Sequence, residues 1–115
     1  LHAAKTLSDY VTAVAWSPDG KTLAAASGAG EIVLWKQGNL TELEKGEGQS
    51  IDCIAFSQDG QFFAAGGQDG RVKIWHLQLP ESQLIATLEN APAWVDRLAW
   101  NPTRNELAFS MGRYL

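Results

Sequence analysis

The sequence is short of the residues that build cross-links and metal centres. It has one cysteine, Cys53, so no internal disulfide can form and no multi-thiolate metal site can be assembled. It has two histidines, His2 and His76, and a single methionine. Nine Lys and Arg stand against thirteen Asp and Glu, giving a net charge of −4, and the basic residues never cluster. A nucleic-acid ligand is therefore not expected, because backbone binding needs a concentrated positive face. No apolar run approaches the roughly 18 to 20 residues of a membrane helix, so no membrane partner is expected. No apolar stretch follows residues 1–5, so they do not read as a signal peptide, and the expected location is the cytoplasm.

What is abundant is glycine and tryptophan, 11 and 5 in 115 residues. Apolar residues make up 45% and charged residues 19%, which suits a chain that buries a core. So many glycines in so short a chain predict many tight turns. The chain also begins at Leu1 rather than a methionine, a hint that the natural protein extends further.

Glycines and tryptophans fall into a repeat. Ala15-Trp16-Ser17-Pro18-Asp19-Gly20 returns as Ala55-Phe56-Ser57-Gln58-Asp59-Gly60, and more weakly as Ala99-Trp100-Asn101-Pro102-Thr103-Arg104. From Trp16 to Phe56 is 40 residues, and from Phe56 to Trp100 is 44. Ile32-Val33-Leu34-Trp35 returns as Val72-Lys73-Ile74-Trp75, also after 40. Two independent anchors with one period define a repeat architecture.

Each unit has the same internal order. A β-branched apolar run is followed by a Ser-x-Asp-Gly turn, whose Asp-Gly tolerates the positive φ of tight hairpins. A second run and a second glycine-bearing turn follow, then a third run ending in Trp35 or Trp75. A more polar fourth run closes the unit, at residues 40–45 and 83–88. Runs of about five residues between tight turns predict antiparallel strands. No segment sustains a 3.6-residue period, so no helix is expected. The first three runs alternate little, which predicts strands covered on both faces.

At these residues the sequence resembles the WD-repeat family. The resemblance rests on Val11-x-x-Val14-Ala15-Trp16-Ser17-Pro18-Asp19-Gly20, on Ile51-x-x-Ile54-Ala55-Phe56-Ser57-Gln58-Asp59-Gly60, and on Gly66-Gly67-Gln68-Asp69-Gly70-Arg71-Val72-Lys73-Ile74-Trp75. It implies an all-β fold of four-stranded antiparallel blades of a β-propeller. Trp35, Trp75, Asp69, Gly20, Gly60 and Gly70 are then structural residues. The family's Trp-Asp ending reads Trp35-Lys36 and Trp75-His76, and its Gly-His pair reads Gly46-Glu47 and Asn90-Ala91. Ala29 stands where Asp69 stands one repeat later. The blades are therefore expected to hold together by apolar packing, without the family's complete polar network.

The resemblance divides the chain into residues 1–8, the outer strand of a preceding blade, two blades at 9–46 and 47–90, and a partial blade at 91–115. That is about two and a half blades, whereas family rings need at least about four. The ring is thus incomplete. Either the chain is a fragment of a longer propeller protein, or copies complete a ring as a homo-oligomer; three copies would supply roughly eight blades.

Little in the sequence carries chemistry. His76 replaces the family's Asp and reads as a surface or capping histidine. Cys53 falls on an innermost strand, between blades, as a small apolar residue. Gly28-Ala29-Gly30 and Gly66-Gly67 feed strands rather than a helix N-terminus, so they read as hairpin turns and not as phosphate loops. No catalytic constellation, cofactor motif or metal-ligand spacing is present, so an enzyme is not expected, and no cofactor is expected.

The resemblance points to the face made by the inter-blade loops and second-to-third-strand turns as the one that binds a protein or peptide. The position before each innermost strand is Tyr10, Ser50 and Trp94; the second residue of each is Thr12, Asp52 and Asp96. Tyr10 and Trp94 are candidate aromatic anchors. Asp52 and Asp96, with Asp9, Glu31, Glu47 and Glu89, make the face acidic against Arg71 and Arg113, which would suit a basic partner. The expected function is a protein–protein interaction scaffold. The alternatives are a propeller enzyme or ligand-binding protein whose site lies on other blades, and a short unit that self-assembles into a ring.

Overall fold

A computed structural model of the chain describes residues 10–77, 82–89, 95 and 97–109. Every regular element among them is a β-strand. Strands β1 (Val11–Trp16), β2 (Thr22–Ser27), β3 (Ile32–Lys36) and β4 (Asn39–Glu44) form one antiparallel sheet in chain order. Strands β5 (Ile51–Phe56), β6 (Phe62–Gly67), β7 (Arg71–His76) and β8 (Gln83–Glu89) repeat it. Strands β9 (Leu98–Trp100) and β10 (Leu107–Phe109) begin a third sheet. The expected outer strand at residues 1–8 lies outside the described residues.

The turns follow from their residues. In the β1–β2 turn the Ser17 hydroxyl donates to Asp19 Oδ1 (2.5 Å), which also accepts the Lys21 N–H (2.9 Å), while Ser17 Oγ accepts the Thr22 N–H. Ser57, Asp59, Gln61 and Phe62 repeat every one of these bonds. Gly20 and Gly60 close the turns at φ of 73° and 75°, in the left-handed region that a Cβ disfavours. The hydroxyl bond first, and the backbone N–H second, hold the Asp19 and Asp59 carboxyls below their ordinary pKa.

Register sorts each sheet into two unlike faces. Trp16, Leu23 and Trp35 are cross-strand partners on one face of the first sheet; Phe56, Phe63 and Trp75 are their counterparts in the second. The other face of the first sheet is small or aliphatic: Ala24, Ala26, Ile32 and Leu34. The core is the aromatic face of the second sheet laid on this small face of the first. Phe63 is fully buried, 4.9 Å from Phe56 and 5.9 Å from Trp75, ring centroid to centroid. Alanines let the second backbone approach closely enough for large rings to fill the gap, as interior packing density demands.

The second and third sheets meet the same way. Val95 is fully buried, its N–H donates to the Gly67 carbonyl (3.0 Å), and the Trp100 indole N–H donates to the Ala55 carbonyl (3.0 Å). Cys53 lies in this second contact, its Sγ 3.5 Å from the carbonyl oxygens of Gly66 and Val95. Among the described residues the first and third sheets do not touch, so the sheets form an unclosed arc.

Two expectations need correction. Gly66 and Gly67 are not turn residues; they end strand β6, and the turn is made by residues 68–70. They are glycine because a Cβ on residue 66 would lie 2.5 Å from Val95 Cγ1, and one on residue 67 would lie 2.1 Å from the Ser50 carbonyl. Nor is β1 covered on both faces. Val14 and Trp16 are 63% and 61% exposed, because no described sheet lies over the aromatic face of the first.

Candidate partner-binding face

The end of the arc that carries the β2–β3 turn, the β4–β5 connection and the β6–β7 turn holds the described candidates. Both inner strands start here with a bulge: β1 shifts register at Thr12 and β5 at Asp52. A bulge re-aims the extra residue away from the pleat, and the two bulged residues then do different things. Thr12 donates its hydroxyl to the Ile51 carbonyl and so ties the first sheet to the second. Asp52 accepts the hydroxyl of buried Ser50 at 2.7 Å and stays half-exposed.

Tyr10 is 69% exposed, and its ring lies over Gly28 in the β2–β3 turn, where a Cβ would meet it at 2.8 Å. The ring is thus propped against its own turn and still presents most of its surface. Trp94 and Asp96, the other candidates of this face, lie outside the described residues, as do Asp9 and Arg113.

Glu31 is not a rim charge. It is only 8% exposed, and its carboxylate accepts the hydroxyl of fully buried Ser27 at 3.0 Å. Ser27 Oγ in turn accepts the N–H groups of Ala29 and Glu31. Asp69 closes the equivalent turn one repeat later by accepting the Arg71 N–H at 2.9 Å, with Gly70 at φ 73°. The N–H of residue 31 or 71 is thus accepted by a hydroxyl in the first turn, Ser27 Oγ held by Glu31, and by a carboxylate, Asp69, in the second.

Between the first two sheets this end opens into a groove of about 400 Å³, lined by Glu44, Glu47, Gln49, Ile51, Asp69, Arg71 and Lys73 among others. Lys73 Nζ reaches across to Glu44 Oε2 at 3.3 Å, with side chains 17% and 22% exposed. Arg71 Nε pairs with Glu89 at 3.2 Å in open solvent. Both cations of the groove are thus matched within the protein, and among the described residues neither Glu47 nor Asp69 on its lining, nor Asp52 beside Ile51, forms an ion pair. Sequence reading placed Arg71 here but missed Lys73 and Glu44, because only the stacking of two sheets brings residues 29 apart in sequence together.

A larger cleft, about 610 Å³, opens at the opposite end between the Ser17–Gly20 and Ser57–Gly60 turns, over Leu34, Phe56 and Leu77. Asp19 and Asp59 stand at its rim, but their carboxylates already hold those turns together. His76 is half-buried with its ring 4.9 Å from Phe62, as a packed strand residue. Among the described residues no three His, Cys, Asp or Glu side chains converge as a metal site would require.

Comparison with known proteins fits this geometry. The family model described as "WD domain, G-beta repeat" matches residues 2–36 and 39–76. The second match begins with β4 and ends with β7, so one sequence repeat supplies the outer strand of one sheet and the three inner strands of the next. No curated protein matches the chain. Among solved structures, one described as the crystal structure of RRP9 WD40 repeats superposes with a TM-score of 0.76 at 22% identity, over 91% of this chain and 33% of that one. The chain thus spans about a third of that structure's length. WD-repeat proteins generally serve as scaffolds for protein interaction and not as enzymes. With over half of its residues in two matched repeats, stacked as the fold requires, the chain belongs to the WD40 repeat family.

Proposed function

We propose that the chain is part of a non-enzymatic interaction scaffold that binds a basic protein segment at the groove end of its first two sheets. The observation that carries this reading is the charge balance there. Arg71 and Lys73 are each paired with a carboxylate of the chain, while Glu47 and Asp69 of the groove, and Asp52 next to it in sequence, form no ion pair among the described residues. An incoming Lys or Arg meets a field it complements, and the exposed Tyr10 ring over the β2–β3 turn offers apolar surface at the same end of the arc. Asp52 is on strand β5 and Asp69 is in the hydrogen-bonded β6–β7 turn, so these two need little ordering on binding.

The test uses two labelled peptides of equal length, one lysine- and arginine-rich and one glutamate-rich, titrated by fluorescence anisotropy. The basic peptide should bind, weaken with rising salt, and weaken again for Asp52→Asn and Glu47→Gln. Equal binding of both peptides, or basic-peptide binding untouched by these substitutions, rejects the site. Trp94→Ala and Asp96→Ala extend the same test to the next inter-blade loop.

A further inference from the structure

Resting on the basic-segment reading above, we infer that Glu44 is a second cation subsite of the groove and that Lys73 fills it from within, as a built-in competitor for a partner's basic side chain. The groove's two cations are matched in different ways. Arg71 and Glu89 are cross-strand partners at the edge of one sheet, and their side chains, 41% and 63% exposed, meet in solvent. Lys73 instead reaches from the second sheet to the first and meets Glu44 at 3.3 Å, with only 17% and 22% of the two side chains exposed. Its ammonium therefore stands in the groove, where an incoming lysine would stand.

The repeat shows that this pair is not needed to stack sheets. Val33 holds the position of Lys73 one repeat earlier. Leu88, the cross-strand partner of Val72, holds the position of Glu44, the cross-strand partner of Ile32. Where the repeat returns, then, each position is apolar. Apolar volume often serves stability at least as well as a part-buried ion pair, so stability does not account for the charges here. Register accounts for where they stand. A bulge at Leu43 lets that side chain pack on the core, while Glu44 shares the face of Ile32 that the second sheet covers. Glu44 thus lines the same groove as Glu47 and Asp69 and differs from them in being taken. An internal occupant lowers apparent affinity in proportion to the fraction of molecules whose site it leaves free.

Anisotropy titrations with the labelled lysine- and arginine-rich peptide compare wild type, Lys73→Met and Lys36→Met. Lys36 lines the cleft at the opposite end, so its loss changes net charge without touching the groove. Lys73→Met should bind the peptide about fivefold or more tighter than wild type, with a steeper fall on added salt. Lys36→Met should stay within about twofold of wild type, since that charge is distant and screened. Adding Glu44→Gln to Lys73→Met should abolish the gain. Should Lys73→Met lose its strand circular dichroism, Lys73→Val, which copies the preceding repeat, takes its place. No gain in Lys73→Met, an equal gain in Lys36→Met, or a gain that survives Glu44→Gln overturns the inference. If neither wild type nor Lys73→Met binds the peptide, the basic-segment reading falls with it. If wild type binds and weakens with Glu47→Gln, yet Lys73→Met gains nothing, only the built-in competitor falls.

Discussion

Val95 Cγ1 stands 2.5 Å from where the Cβ of residue 66 would be, so the Val95 side chain, three residues before β9, occupies the volume Gly66 leaves free. This contact makes the spacing between second and third sheets depend on one missing methyl group. Gly66→Ala should destabilise the chain by about 1–3 kcal/mol, the usual cost of forcing an extra carbon into a packed core. Val95 is β-branched and cannot swing aside cheaply. Chemical denaturation of Gly66→Ala, Val95→Ala and the double variant tests the pairing. The double variant should be more stable than the sum of the two losses implies; strict additivity argues against it.

The Ser17–Asp19 and Ser57–Asp59 turns predict a dependence on acid. Both carboxyls titrate below their ordinary value in the folded chain, because hydroxyl and backbone N–H bonds favour the ionised form. A depressed folded-state pKa contributes stability above the unfolded value of about 3.8 and loses it as pH falls through the folded value. Stability should therefore decline below about pH 4. Ser17→Ala and Ser57→Ala should raise the pKa of the neighbouring Asp in carbon-detected NMR titrations; unmoved titration curves would count against the assigned cause.

Lys73 and Glu44 form an ion pair that spans two sheets. Val33 holds the position of Lys73 one repeat earlier, so the site accepts an apolar side chain. Replacing both partners, Lys73→Met with Glu44→Leu, should change stability by less than about 1.5 kcal/mol, as replacing a part-buried pair by apolar volume often does. Glu44→Ala should cost more, since it strands the ammonium between the sheets. Thermal melts of both variants rank them, and the reverse order refutes this account.

Gln37 is the one described non-glycine residue with positive φ, 52°, followed by Gly38 at 80° in the β3–β4 turn. Asn-Gly is the favoured pair for such a two-residue turn. Gln37→Asn should recover part of the roughly 1–2 kcal/mol that the left-handed region costs a longer side chain. A lower melting temperature for Gln37→Asn would contradict this reading of the turn.

Much of this was legible in the sequence because a period of 40 residues exposes equivalent positions at once. Ser17-Pro18-Asp19-Gly20 and Ser57-Gln58-Asp59-Gly60 announce their turns, since the chemistry of a hairpin is local. Trp75 was expected to be structural because it stands where the WD-repeat resemblance places the strand-ending tryptophan, and it is buried. Glu31 was not legible as buried: its carboxylate accepts the hydroxyl of Ser27, and no local rule says that this serine will take the turn N–H groups and turn its proton to the acid. Gly66-Gly67 misled for a similar reason. Glycine means a turn when only its own φ is considered, and a close approach when another sheet lies above it.

By itself, then, the sequence determined the strands, their turns and the alternation that makes one face aromatic and the other small, because those depend on residues within one hairpin. Tertiary structure alone decided which faces are filled. Val95 over Gly66, Lys73 against Glu44 and the Trp100 indole on the Ala55 carbonyl each join residues 29 to 45 apart in sequence. Such pairs are fixed only when sheets stack, since burial of apolar area sums over a whole surface and not along the chain. Among the described residues the same stacking leaves Trp16 exposed and gathers Glu47 and Asp69 at a groove whose cations are already paired.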